Sequence, residues 1–239
     1  MNVTSPRSLT VVLVALGSLT ITACAGPADD PAAPTSVRDT DRRESTSTPA
    51  PSGSGAPLPP ATEATPLSSD GRARPAELSI PSIGLTDLDV VPYRGWTDDA
   101  PGTEIQNDGR AASPHGPRGG TGPGGIGNYQ VTAHRLSSTA AFLRLPELMR
   151  GDRVTVRTED ATYVYRITGT RQTSFRSSAS LRAQRAAVPG RPGKEPTRAM
   201  ITLSTCATPE DHAVGNYWSD EFDNPEHRID KVGVLVAVR

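Results

Sequence analysis

Cys206 follows the apolar run Met200-Ile201-Thr202-Leu203-Ser204-Thr205, so a thiol stands where a strand gives way to a loop. A thiol attacks a carbonyl carbon as thiolate, and the reaction needs a proton donor for the leaving group and a positive or N–H-rich site for the oxyanion. Two other residues have those abilities at comparable places. His134 ends the strand-like stretch Asn128-Tyr129-Gln130-Val131-Thr132-Ala133, and Arg228 directly precedes the alternating run Ile229 to Val238. Three such strand-end residues meet if their strands share one rim of a sheet. The residues by themselves leave a second reading open: a free cysteine is often only a small buried hydrophobe, and a single His or Arg is often solvated.

The elements that must position these groups are mostly short strands. Glu77 to Leu85 begins an apolar and polar alternation where the folded part starts, at Pro75. Asp152 to Arg157 and Thr162 to Thr168 flank the turn Thr158-Glu159-Asp160-Ala161 as a hairpin, with Val154 and Val156 facing Tyr163, Tyr165 and Ile167. The chain ends in two strands, Ala199 to Thr205 and Ile229 to Val238. Ser137 to Thr139 caps a short helix expected over Ala140 to Met149, kept short by Pro146, and one helical turn is expected around Leu181 to Ala187. Thr97 to Gly127 contains HGPRGGTGPGG and no helical period, so it reads as an ordered loop or a mobile flap. It holds no GxxxxGK[ST] and no GxGxxG opening a helix, which argues against a nucleotide site. The pattern is all-β, and periodicity does not separate a barrel from a sandwich.

Upstream, Arg7 precedes the apolar Leu9 to Leu16, and small residues lead to Cys24. Residues 1–24 read as an export signal whose cysteine resembles that of a bacterial lipobox, a lipid anchor; an uncleaved membrane span is the alternative. Residues 25–74 are rich in Pro, Ala, Ser, Thr and Asp and cannot bury enough apolar surface to fold, so they read as a disordered tether reaching on the order of 40 Å. The folded domain, the candidate catalytic part, is then 75–239, expected outside the cytoplasm and held at the membrane. A net charge of -1 over 239 residues argues against nucleic acid as a partner. The acidic Asp220, Glu221 and Asp223 do not match a calcium loop, and His115, His212 and His227 lack zinc spacing, so neither a metal nor a cofactor is expected.

Thr202-Leu203-Ser204-Thr205-Cys206 resembles the TLxTC signature of sortases. Gly127-Asn128 with His134-Arg135, and Phe142 through Arg150-Gly151-Asp152-Arg153-Val154 with the Tyr-rich strand after it, resemble the actinobacterial class E members. The likeness spans Pro75 to Arg239. It implies an eight-stranded β-barrel with parallel and antiparallel pairs and one or two short helices, and a triad of Cys206, His134 and Arg228 at one end. It also implies transpeptidation: Cys206 attacks the Thr–Gly bond of an LPxTG- or LAxTG-like sorting signal on a secreted protein. Arg228 then holds the oxyanion, His134 moves the protons, and an amine of a peptidoglycan precursor or pilin resolves the thioacyl enzyme. Thr205 and Asn128 are expected beside the substrate. Ala133 stands where the family more often has Gly, and the stretch from Cys206 to Arg228 is long. Arg239 ends its strand instead of preceding it, which favours Arg228. A barrel kept only as a binding module and a cysteine hydrolase remain as competing functions.

Overall fold

The structure is a computed structural model that describes residues 67–239. The export signal, Cys24 and the tether up to residue 66 lie outside the described residues. Eight strands close into a barrel in the order β1-β2-β3-β4-β7-β8-β6-β5. They are β1 (Ala76–Ile80), β2 (Leu85–Arg94), β3 (Ala111–His115), β4 (Gly127–Thr132), β5 (Arg153–Arg157), β6 (Thr162–Ser174), β7 (Ala199–Cys206) and β8 (His227–Val238). The pairs β2–β3 and β4–β7 are parallel; the other six are antiparallel. Closure leaves no unpaired edge for association with another chain. Among the described residues no helix is long and apolar enough to cross a membrane.

Alternation decides what each strand buries. Leu78 and Ile80 on β1, Tyr129 and Val131 on β4, Val154 and Val156 on β5, Tyr165 and Ile167 on β6, and Ile201 and Leu203 on β7 fill the interior. Because side chains alternate between faces, Thr202, Ser204 and Cys206 point out of the barrel. Asn128, Gln130 and Thr132 of the parallel neighbour share that outer face. This polar face is nevertheless buried. The β6–β7 connection, carrying α2 (Ser178–Arg185), lies over it, and Gln184 Nε2 donates to Ser204 Oγ at 3.2 Å and to Asp230 Oδ1 at 2.9 Å.

Several sequence expectations change in the fold. Thr97 to Gly127 contains α1 (Ala100–Asn107) and β3. Its helix comes from capping and packing instead of an apolar period: Asp99 accepts from Gly102 N at 3.0 Å, and Pro101 sits in the first turn, where its missing N–H costs nothing. Gly102 is required there, since a Cβ would stand 2.3 Å from the Tyr93 hydroxyl. Thr121 to Gly125 is no flap in this structure. It is bonded to the approaching chain, with Ser69 N donating to Gly124 O at 2.7 Å and Gly122 N to Gly71 O at 2.8 Å, so ordered contacts begin upstream of Pro75.

The helix expected over Ala140 to Met149 is instead a string of turns with one 3-10 turn at Leu145–Glu147. Phe142, Leu145 and Leu148 still face the core. Ser138 and Ala140 adopt left-handed backbone, which breaks a helix at its start, and the buried Lys231 ammonium takes the carbonyls of Pro146 at 2.8 Å and Leu148 at 2.7 Å. A third helix, α3 (Thr208–Ala213), follows β7, so the described residues hold three short α-helices where one or two were expected.

Candidate active site

Cys206 and Arg228 are partners across the antiparallel β7–β8 ladder, so their side chains leave the same face of the sheet directly opposite each other. β8 begins at His227, which puts Arg228 one residue inside the strand rather than just ahead of it. Its Nη1 donates to Cys206 Sγ at 2.5 Å. The guanidinium is buried, with 3% of the residue exposed, and both of its terminal nitrogens are engaged while Nε has no hydrogen-bond partner. Nη2 donates to Asn224 Oδ1 at 2.8 Å and lies 2.7 Å from Asp98 Oδ1, an ion pair without hydrogen-bond alignment. The Phe175 ring lies 4.9 Å from Cζ.

Asp98 was not singled out in the sequence. It precedes the cap residue of α1 and has φ 64°, in the left-handed region that an Asp enters at some cost. The long β7–β8 connection supplies Asn224. Asp220 shapes that loop by accepting from the backbone N–H of Phe222 and of Asn224, each at 2.9 Å. One of the acidic residues that match no calcium loop, Asp220, therefore helps to build the mount for the arginine. The neighbouring His227 turns away from this centre and bonds Asp211 at 2.7 Å.

His134 lies two residues beyond β4, at the same end of the barrel as Cys206 because β4 and β7 run parallel in register. It is half-buried, and its Nε2 lies 2.7 Å from Asn107 Oδ1, at the end of α1; with the amide oxygen accepting, the proton sits on Nε2. Cys206 and His134 line one cavity of about 310 Å³ with Asn107, Thr103 and Phe222, and no hydrogen bond joins them. The next residue, Arg135, ties the two together from below: it donates to the Cys206 carbonyl at 3.3 Å and is gripped bidentately by Glu210 of α3.

Burial raises the Cys206 thiol above its ordinary value; the Arg228 charge pulls it down and Asp98 pushes it up. Burial, assisted by Arg228, lowers His134. At neutral pH the resting pair is therefore thiol and neutral imidazole, and the thiolate–imidazolium form is a minor population. Burial also raises Asp98, against the pull of Arg228.

Two expected substrate-facing residues sit elsewhere. Thr205 alternates inward from Cys206, is fully buried, and donates to Ala133 O at 2.8 Å, so it supports the strand end that carries His134. Asn128 is buried and fully engaged, donating to Gln184 O at 3.0 Å and accepting from Thr202 Oγ1 at 2.8 Å. Both side chains brace the scaffold. Cys24 lies outside the described residues.

The sortase domain family matches residues 78–218. Among solved structures, the chain is similar to the SrtA sortase of Actinomyces oris, at 19% identity and TM-score 0.53, covering 74% of this chain and 89% of that one. It is also similar to sortase E1 of Streptomyces coelicolor with a tripeptide in its active site, at 24% identity and TM-score 0.50, covering 72% and 93%. A third similar structure, a point mutant of sortase E from Streptomyces avermitilis, has 21% identity and TM-score 0.50, covering 72% and 92%. No curated protein sequence matches the chain. With more than half of its length matched by that family, on a closed barrel of the same fold, the chain belongs to the sortases, a family of cysteine transpeptidases.

Proposed function

We propose that this protein cleaves an LPxTG- or LAxTG-type sorting signal between Thr and Gly and joins the acyl part to an amine. The observation that carries this reading is the 2.5 Å contact of Arg228 Nη1 with the Sγ of Cys206, a residue that lines one cavity with His134. Cys206 thiolate adds to the Thr carbonyl carbon, forming a C–S bond while negative charge moves to the oxygen. Arg228 is the donor nearest to that charge, and its burial keeps the interaction free of screening by water. As the tetrahedral species collapses, the C–N bond breaks and the His134 imidazolium gives its proton to the departing glycine amine. An incoming amine then loses a proton to His134 and attacks the thioester; the new C–N bond forms, the C–S bond breaks and the thiolate returns.

The donor is a secreted protein bearing the signal near its C-terminus, and the acceptor is an amine of a peptidoglycan precursor or a pilin subunit. The N-terminal export signal, with Cys24 as lipid anchor and residues 25–74 as tether, would hold the enzyme at the outer face of the membrane. The full-length chain and its Cys206→Ala variant, each mixed with LPxTG and LAxTG peptides and a glycine amine, test the reading by mass spectrometry. A peptide–amine product with the parent enzyme, absent with the variant, is expected. Cleavage without joining would favour a hydrolase, and a thiol inert to both peptides would favour a binding module.

A further inference from the structure

Three cavities are linked by shared lining residues, starting at the thiol. The one holding Cys206 and His134 shares Phe222 with a second of about 530 Å³, walled by Trp96, Thr97, Asp98 and Phe175. The second shares Leu181 and Arg185 with a third, also about 530 Å³, under α2 and the β3–β4 loop. Together they make a trough that leads away from the thiol on the side of Arg228.

The far end of this trough is cationic. Arg118, Arg182 and Arg185 all line the third cavity, beside the apolar Pro117, Leu181 and Pro192. None of the three forms an ion pair with a carboxylate among the described residues. Two of them are held in place: Arg118 stacks over the Trp96 ring with its Cζ 3.5 Å from the centroid, and Arg185 donates to Thr97 O at 3.2 Å. Burial lowers the Arg185 pKa and the Arg118 charge adds to that lowering, while the charges of Asp98 and Asp99 oppose it. Arg185 thus has acidic neighbours on its inner side, whereas Arg118 and Arg182 have no ion-pair partner among the described residues and are free to take an anion from outside. The middle of the trough has the opposite sign, with Asp98, Asp99, Asp220 and Glu221 on the second cavity.

The chemistry at the thiol orients an occupant. The leaving and incoming amines must lie on the His134 side, so the acyl segment runs the other way, past Arg228 and along the trough. Its residues farthest from the scissile bond reach the arginines. We infer that the arginine end of the trough binds a carboxylate side chain carried by the substrate peptide immediately N-terminal to its sorting signal. This rests on the transpeptidase reading above. Planar guanidiniums take a carboxylate bidentately, and the apolar walls accept its methylenes. An acid placed within the signal itself would instead meet the acidic middle and be disfavoured.

The test compares two peptides that share one signal and differ only in Glu-Glu or Gln-Gln just upstream, using the full-length chain and an Arg118→Ala/Arg182→Ala double variant. With the parent enzyme the acidic peptide should show a KM about tenfold lower at similar kcat, a preference that about 0.5 M salt removes. In the double variant the ratio between the two peptides should fall close to one. Calorimetric binding of both peptides to Cys206→Ala gives the same comparison without turnover. Acid-selective binding with no turnover of either peptide would sustain the anion site and sink the transpeptidase reading. Equal turnover and equal binding of the two peptides would overturn the site while leaving the transpeptidase reading intact, as would an acid preference that survives loss of both arginines.

Discussion

The two sides of the thiol are built on different terms. Arg228 is buried and held by Asn224, Asp98 and Phe175, whereas His134 is half-buried and has one side-chain partner, the exposed Asn107. In the proposed reaction the arginine side presents charge to an oxyanion at a fixed point, and a preorganised, dry donor does that without reorganising. In the same proposal the histidine side gives a proton to one amine and takes one from another, which suits a half-buried ring with a single side-chain partner. The price of the first arrangement is a buried ion pair, which becomes costly when either partner is removed alone.

That contrast is sharpest in Arg228→Ala. It should lower kcat/KM by about 10²- to 10³-fold and also lower stability by about 3 kcal/mol, since Asp98 is left buried and unpaired. Chemical denaturation alongside steady-state kinetics measures both effects. A variant as stable as the parent would mean that the buried pair does not hold the loop. Arg228→Lys should restore little activity, because an ammonium cannot serve Sγ and Asn224 from one planar group. His134→Ala should cost about 10²-fold in kcat with almost no change in stability, which sets it apart from the arginine.

Smaller effects sharpen the comparison further. With the thiol raised and the imidazole lowered, the product of thiolate and imidazolium fractions is constant between the two pKa values and falls outside them. The kcat/KM profile should therefore show a broad plateau whose acid limb lies below the ordinary imidazole value and whose alkaline limb lies above the ordinary thiol value. Asp98→Asn removes a charge that pushes the thiol up, so the midpoint for iodoacetamide alkylation of Cys206 should move to lower pH. A midpoint that stays put or rises would assign Asp98 a purely structural part. Asn107→Ala, on the looser side, should reduce kcat only a few-fold.

The same division explains what could be read from the chain alone. β4, β7 and β8 alternate plainly, and the candidates His134, Cys206 and Arg228 read from their ends lie at one end of the barrel. The supports are not announced. Asp98 and Asn224 reach Arg228 from two irregular connections, and nothing in a loop composition says which of several acids is buried. α1 left one signal that goes unheeded when only periodicity is sought: Asp99 two residues before Pro101, a cap followed by a first-turn proline. Thr205 shows the opposite error, since membership in a signature next to the thiol suggested substrate contact while strand alternation turns it inward.

The central claim is that Cys206 carries the acyl group and an amine removes it. Acid-quenched single-turnover mass spectrometry of the full-length chain with a sorting-signal peptide tests it directly. The account predicts an adduct of the peptide's acyl part on Cys206 that forms without added amine and disappears, with peptide–amine product appearing, once glycine amine is supplied. An adduct on another residue, or product formed equally well by Cys206→Ala, would contradict it.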